Sequence, residues 1–304
     1  MISKITRAGA LSALLLSSAA CATAKTPPPV FTKGEAASQI GEAQSETSAP
    51  AGQQWLYGSA EGTVVLRQTW QTIAAHAEKM AANRPENSVV LAVGATADNP
   101  KWLACGDKPL AAVFDADETL IWNMGVMRFM AERDVDFDPK IWFQWEKTGA
   151  GKALATPGAV AAFARMRKAG VTMIVNTNRS NYNPRGTEAT LAAAGLGNFK
   201  HGESLFLRGD TPGGSEKDGR RAKISENYCV VALVGDQLGD VADIFNAKEL
   251  RPMDRKTLAS HGNFDGKWGN GWFVLANPIY GPDIAGSFDE VFPEETRWAP
   301  EAPK

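Results

Sequence analysis

Val113-Phe114-Asp115-Ala116-Asp117-Glu118-Thr119-Leu120 is a short apolar run that ends in carboxylates at alternate positions. A second run of the same kind is Val230-Val231-Ala232-Leu233-Val234-Gly235-Asp236-Gln237-Leu238-Gly239-Asp240. Each apolar run has the length and β-branched content of a strand buried on both faces. Acids just beyond the carboxyl ends of such strands lie where an open α/β sheet places its ligand site. Clustered carboxylates repel one another unless a cation or a proton joins them. Together the two runs therefore point to a magnesium-dependent site that handles phosphate.

The rest of the chain supplies the alternation such a sheet needs. Leu66, Trp70, Ile73, Ala77 and Met80 recur at three- and four-residue steps from Val65, the stripe of an amphipathic helix that ends at Asn83-Arg84-Pro85. Leu110 to Phe114 reads as the first buried strand. Thr156-Pro157-Gly158 has the cap and proline of a helix start, with Gly170 as its stop. Val171 to Val175 is the next strand, ending at Asn176-Thr177-Asn178-Arg179, and Thr187 to Gly195 a short helix. Val230 to Val234 and Trp272 to Leu275 complete a set of strands alternating with helices, the pattern of parallel βαβ units. Residues 121 to about 155 interrupt it with Trp122, Phe129, Trp142, Phe143 and Trp145 and no single period, as a small helical cap would. No internal repeat is visible.

Length and charge set the limits. The chain has 304 residues and a net charge of −2, with bases spread rather than bunched. Neither a nucleic-acid polymer nor a membrane surface is favoured as partner. Lys4 and Arg7, the apolar stretch Ala8 to Leu16 and the small residues that follow predict a secretory signal over residues 1–24, too short to span a bilayer. Cleavage after Ala22-Thr23-Ala24 competes with a lipobox-like Ser18-Ala19-Ala20-Cys21, which would make Cys21 a lipidation site. Residues 25–54, rich in Pro, Ala, Ser, Gln and Glu, read as a flexible tether, leaving residues 55–304 as the folded domain. Export permits Cys105 and Cys229 to pair, each preceding an acid-tipped strand; two buried free thiols are the alternative.

The chemistry follows from the residue types. A carboxylate can attack phosphorus and form an acyl phosphate, and a second acid nearby can protonate the departing alkoxide and deprotonate the incoming water. Asp115 and Asp117 suit those roles in that order. Asp236 and Asp240, with Asp115 and the main-chain carbonyl of Asp117, would give Mg²⁺ its oxygen ligands, held at about 2.0–2.1 Å in such sites. Thr177 and its neighbour Asn178 offer donors for phosphate. Lys217, in Ser215-Glu216-Lys217-Asp218-Gly219-Arg220-Arg221, offers positive charge, with Lys223 and Arg220 as competitors. Trp142, Trp145 and Tyr280 are candidates to stack a nucleobase, worth about 1–3 kcal/mol per base, or equally to be core. Asp243 reads as a helix-start residue, the alternative being an acid that supports the site from behind, and Glu118 and His76 read as structural. His201 and His261 sit in polar loops with no arginine-histidine motif beside them.

The order Asp-x-Asp-x-Thr, strand-tip Thr, Lys, Gly-Asp-x-x-x-Asp resembles the haloacid dehalogenase superfamily, whose phosphatases carry an aspartate at the position of Asp117. A closer resemblance is to the class C bacterial acid phosphatases. It rests on Trp55 to Glu61, Phe114 to Leu120, Trp142-Phe143-Gln144-Trp145, Thr156-Pro157-Gly158-Ala159, Thr177-Asn178-Arg179, Val234 to Asp240 and Phe273 to Gly281, spanning roughly residues 55 to 282. The resemblance implies a Rossmannoid parallel sheet flanked by helices with a small cap, and an exported, often lipid-anchored, Mg²⁺-dependent phosphomonoesterase. It implies Asp115 and Asp117 as nucleophile and acid/base, and Asp236 and Asp240 as metal acids. Nucleoside monophosphates are the implied substrates, and the periplasm or an outer-membrane lipoprotein the implied location. Thr177 stands where relatives often have Ser. A reading of another class is a surface lipoprotein that binds a nucleotide or cofactor, with turnover incidental. The oligomeric state is not legible.

Overall fold

Helix α1 (Ala60–Ala82) begins where Ser59 turns its hydroxyl back to accept the amide of Gly62 at 2.8 Å. It starts five residues before Val65 and buries the stripe expected of it, with Leu66, Trp70, Ile73, Ala74 and Ala77 fully covered. The computed structural model describes residues 48–300. The expected signal and Cys21 lie outside these residues. Helical structure already starts at Ala51–Gln53 and continues through a π-helical turn at Gln54–Gly58, so the last residues assigned to the tether are folded. The reason is Leu56, whose fully buried side chain anchors that turn in the core.

The core sheet follows from three runs buried on both faces. Strands β1 (Asn87–Leu91) and β2 (Trp102–Ala104) form an antiparallel pair. Next comes β3 (Leu110–Phe114), buried at every position. The insert is closed at its base by β4 (Ile121–Trp122) pairing antiparallel with β5 (Leu154–Ala155), and between them lie α2 (Met124–Ala131) and α3 (Pro139–Thr148). After α4 (Ala159–Lys168), β6 (Thr172–Ser180) runs well past its expected end at Val175. Then follow α5 (Pro184–Ala193), β7 (Leu205–Arg208), α6 (Asp218–Asn227), β8 (Cys229–Gly235), α7 (Pro252–Ala259) and β9 (Trp272–Val274).

Five of these strands form one all-parallel sheet in the order β7-β6-β3-β8-β9. The chain leaves β3 towards β6 and later returns on the other side of β3 to lay down β8. This is a topological switch point, and the crevice it opens faces the carboxyl ends of β3, β6 and β8. One apolar layer packs α1 and α4 against the sheet through Trp70, Phe114 and Phe163, whose rings lie 4.7–6.0 Å apart. The opposite layer gathers Val113, Ile174, Leu233, Phe245, Phe264 and Trp272.

The start of α4 departs from the expected cap. Gly158, not Thr156, occupies the capping position at φ +105°, where a Cβ would lie 3.1 Å from the Trp70 side chain. The Thr156 hydroxyl is used elsewhere: it donates to the Thr119 carbonyl at 2.8 Å and accepts the Trp70 indole N–H at 3.0 Å. Cys105 and Cys229 form a disulfide across 124 residues of sequence, with Cα atoms 4.6 Å apart. Cys229 opens β8, so the bridge holds the end of the sheet away from the acids. Closing a loop of that length stabilises a fold by up to about 5 kcal/mol in the chain-entropy model.

His76 on α1 is 8% exposed and donates from Nε2 to the Val231 carbonyl at 3.0 Å. Burial holds its pKa below the ordinary value; the hydrogen bond opposes this, and Lys79 and Lys267 add to it. The folded chain therefore binds fewer protons here than the unfolded one. The stability this residue contributes is complete above the unfolded pKa and declines as pH falls through it, at no more than about 1.4 kcal/mol per pH unit. Urea midpoints measured from pH 7.5 to 5 are expected to fall in the wild type and to fall less steeply in His76→Gln. Equal slopes would remove His76 from the explanation.

Candidate active site

Asp115 continues the β3 ladder one step past the strand, its amide donating to the Val234 carbonyl at 2.9 Å. Pairing of Phe114 with Val234 in the parallel register brings Asp115 and Asp236 together at the carboxyl ends of the inner strands β3 and β8. Asp240 is brought back by a 3₁₀ turn, Leu238–Asp240, in which its Oδ2 accepts the Gln237 amide at 2.9 Å. Gly235 makes that return feasible, because a Cβ there would lie 2.1 Å from the Asp240 side chain. One carboxylate oxygen from each of Asp115, Asp236 and Asp240 lies within 4.8 Å of the others.

Such a cluster requires compensating charge. Lys217, immediately before α6 and 3% exposed, donates from Nζ to Asp115 Oδ1 and to Asp240 Oδ1, the latter at 2.7 Å. Burial pushes the Asp115 carboxyl up to about 7 against the pull of Lys217, with Asp240 and Asp117 adding to the rise. Asp236 is raised well above the carboxylate range by burial, then by Asp240 and Asp115. It is held in place by the Thr119 hydroxyl and Asn277 Nδ2, both at 2.8 Å. Burial lowers the affinity of the Lys217 amine for its proton, but Asp115 and Asp240 outweigh this and its pKa rises. One ammonium thus sits among three acids, and the donor set of buried hard oxygens fits an additional divalent ion.

Asp117 faces the same cavity as Asp115 but is bound by other partners. Arg179 grips it with Nε at 2.9 and 3.1 Å and Nη2 at 2.7 Å, and Asn123 Nδ2 donates at 2.9 Å. Arg179 is 1% exposed; burial disfavours its charge, but Asp117 reverses that and its pKa rises. The two acids of the Asp-x-Asp pair therefore sit in different electrostatic settings, one beside an amine and one beside a guanidinium.

The phosphate-binding candidates are arranged unequally. Asn178 and Lys217 line the cavity. Thr177 is fully buried and its hydroxyl accepts the Arg179 amide at 3.2 Å. Arg220 donates to the Thr177 carbonyl and, at 2.6 Å, to Asn178 Oδ1, so its charge clamps the tip of β6 to the start of α6. Lys223 is exposed on α6. Lys217 is the base that meets the acids. Asp243 accepts the amides of Lys217 at 2.9 Å and Asp218 at 2.5 Å and pairs with Arg221 at 3.1 Å, capping α6 from outside the helix.

The cavity beside these groups measures about 900 Å³, and Met127, Met130, Phe137, Trp142, Phe143 and Tyr280 form its apolar wall. Trp142 and Phe137 lie 5.8 Å apart, ring to ring. Trp145 has a different place: its indole N–H donates to Asn123 Oδ1 at 2.7 Å and its ring packs against Gly125 and Gly149. Tyr280 lines the cavity while its hydroxyl donates to Glu118 at 2.5 Å. His201 and His261 pair with Asp210 and Asp98 at 2.9 and 3.2 Å, each in its own polar loop. Sequence reasoning assigned no role to Arg179, Asn123, Thr119 or Asn277. Thr119, Arg179 and Asn277 lay inside quoted motifs, and their polarity beside strand tips was the available signal.

A family model described as HAD superfamily, subfamily IIIB (acid phosphatase) matches residues 47–283. Among solved structures, the class C acid phosphatase from Bacillus anthracis with tungstate bound is similar, at a TM-score of 0.62 and 20% identity, covering 80% of this chain and 89% of that one. Another structure of the class C acid phosphatase from Bacillus anthracis gives a TM-score of 0.59 at 20% identity, covering 76% and 84%. These likenesses show a shared fold, and the family match covers the acids, the lysine and the cavity described above. The chain belongs to the acid phosphatases of HAD subfamily IIIB and is a phosphoric monoester hydrolase.

Proposed function

We propose that the protein is an exported, Mg²⁺-dependent acid phosphatase that cleaves nucleoside monophosphates through an aspartyl phosphate on Asp115. The observation that carries this reading is the separation of the two acids of one motif. Asp115 lies with Asp236 and Asp240 around Lys217, whereas Asp117 is held apart by Arg179 and Asn123. Asp115 attacks phosphorus as the bond to the alcohol oxygen breaks, and Asp117 delivers the proton that oxygen needs. Asp117 then takes a proton from the water that hydrolyses the acyl phosphate, restoring Asp115. Lys217 and Asn178 neutralise and orient the phosphoryl oxygens, with Thr177 supporting them from behind. Asp115, Asp236, Asp240 and the Asp117 carbonyl would hold Mg²⁺, which when bound supplies positive charge against the transferring group.

Substrate class rests on the aromatic wall. A volume of about 900 Å³ accommodates a nucleoside, and Trp142 and Tyr280 offer faces for its base. Export to the periplasm, or anchoring to the outer membrane through Cys21, rests on the first 24 residues alone. The rival reading as a binding lipoprotein gives no reason for a second acid clamped beside the first, and family membership disfavours it.

Asp115→Asn is expected to lower turnover of a chromogenic phosphomonoester by at least about 10³-fold, as loss of a nucleophile does, while the thermal midpoint holds or rises. Acid-quenched wild type given ³²P-labelled substrate is expected to carry label on Asp115; activity persisting in the variant would end the assignment. Trp142→Ala is expected to reduce kcat/KM for 5′-nucleotides by about 5- to 150-fold, the worth of one stacked base. The same change is expected to leave glycerol phosphate unchanged. Equal losses on both would show that Trp142 supports the cap rather than the base.

A further inference from the structure

Glu118, read from the sequence as structural, lies between Asp117 and Thr119 with no exposed surface and a backbone φ of +55°. A non-glycine residue in this left-handed region is uncommon and persists where its surroundings over-determine it. Here they do. Its carboxylate accepts the Tyr57 hydroxyl at 2.9 Å, the Tyr280 hydroxyl at 2.5 Å, the Asn123 amide at 2.8 Å and Asn123 Nδ2 at 3.0 Å. The same Nδ2 donates to Asp117 Oδ1 at 2.9 Å. Asn123 Oδ1 accepts Trp145 Nε1 at 2.7 Å and Arg179 Nη2 at 3.0 Å. The Asn123 amide is thus fixed at both ends, its NH₂ between two carboxylates and its oxygen between two donors.

We propose that Glu118 is a positioning residue for the hydrolysis. Through Asn123 it sets the orientation of the Asp117 carboxylate, and through Tyr280 it sets the wall against which the leaving alcohol rests. The proton donor and the group that receives its proton are thereby held in one frame. This inference rests on the reading of Asp117 as the proton donor. Four donors converge on Glu118, and only a carboxylate accepts them all. Each oxygen accepts two of them, Tyr57 and the Asn123 main-chain amide on one and Tyr280 and Asn123 Nδ2 on the other. A glutamine in its place would therefore turn an NH₂ towards two donors. The tyrosine hydroxyls can rotate and accept instead, but neither Asn123 donor can, so either orientation of the glutamine loses a contact that holds Asn123. Were the Asn123 amide to flip, its oxygen would face the Asp117 carboxylate, which repels it.

A glutamate that only fastened Tyr57 and Tyr280 would, on replacement, lower activity towards every phosphomonoester alike. A positioning residue acting on Asp117 changes the dependence on leaving group, because p-nitrophenolate departs without a proton and an alkoxide does not. The experiment measures kcat/KM, which reports steps up to alcohol release, for p-nitrophenyl phosphate and glycerol 2-phosphate in wild type, Glu118→Gln and Asp117→Asn. Glu118→Gln is expected to lose about tenfold or more on glycerol 2-phosphate, a part of the 10²–10⁴ that acid catalysis supplies, and less than about threefold on p-nitrophenyl phosphate. Equal losses on both substrates, or none, overturn the proposal. If Asp117→Asn itself shows no such split, the reading of Asp117 as proton donor fails, and the proposal fails with it. Should Glu118→Gln not fold, Asn123→Ala breaks the same relay at its middle link, and the same two ratios decide.

Discussion

Mutual repulsion among Asp115, Asp236 and Asp240 is the constraint on which the rest of the site depends. Charges with oxygens within 4.8 Å of one another repel by roughly 3–4 kcal/mol per pair at an effective dielectric of 20. Asp115 and Asp236 are raised by burial and then by neighbouring acids, Asp240 acting on both, which is the same repulsion seen as proton affinity. Lys217 answers part of it by bridging Asp115 and Asp240. Asp236 has neutral donors only, Thr119, Asn277 and Gln237, so when the three acids are ionised the cluster carries more negative charge than Lys217 offsets. That excess is a reason for a cation and, in turn, for a substrate whose own charge the cation can meet.

Long-range structure supplies each member of the cluster. The parallel register of β3 and β8 places Asp115 beside Asp236, and a chain reversal permitted by Gly235 adds Asp240. Lys217 arrives on the loop between β7 and α6, its position fixed by Asp243 beneath its amide and by Arg220 clamping β6 near its carboxyl end. Pocket and chemistry are joined in the same way, since the cap helix α3 contributes Trp142 to the cavity and Trp145 to the network around Asn123. The disulfide lies at the other end of β8, where it braces the sheet without touching these groups.

What the sequence made legible was what local pattern encodes. An unbroken apolar run ending in acids can be little else than a buried strand with a site at its tip, and β3 and β8 are where that reading put them. Strands β1, β2 and β7 escaped it because they are short or half-exposed and carry no alternation long enough to register. The cap helices show no clean period because one side faces the core and another the cavity. Thr156 looked like a cap but serves as a buried link between Trp70 and Thr119. Arg179 and Glu118 were under-read for a different reason. Their roles arise from partners up to 162 residues away, which no window of sequence displays.

The most direct measurement is calorimetric titration of Mg²⁺ into the intact protein at neutral pH, repeated on Asp236→Asn. The expected result is one ion bound per chain, with a rise in thermal midpoint on saturation, and loss of most of that affinity in the variant. Binding that is absent in the wild type, or undiminished when Asp236 loses its charge, would contradict the view that these three acids are assembled around a cation.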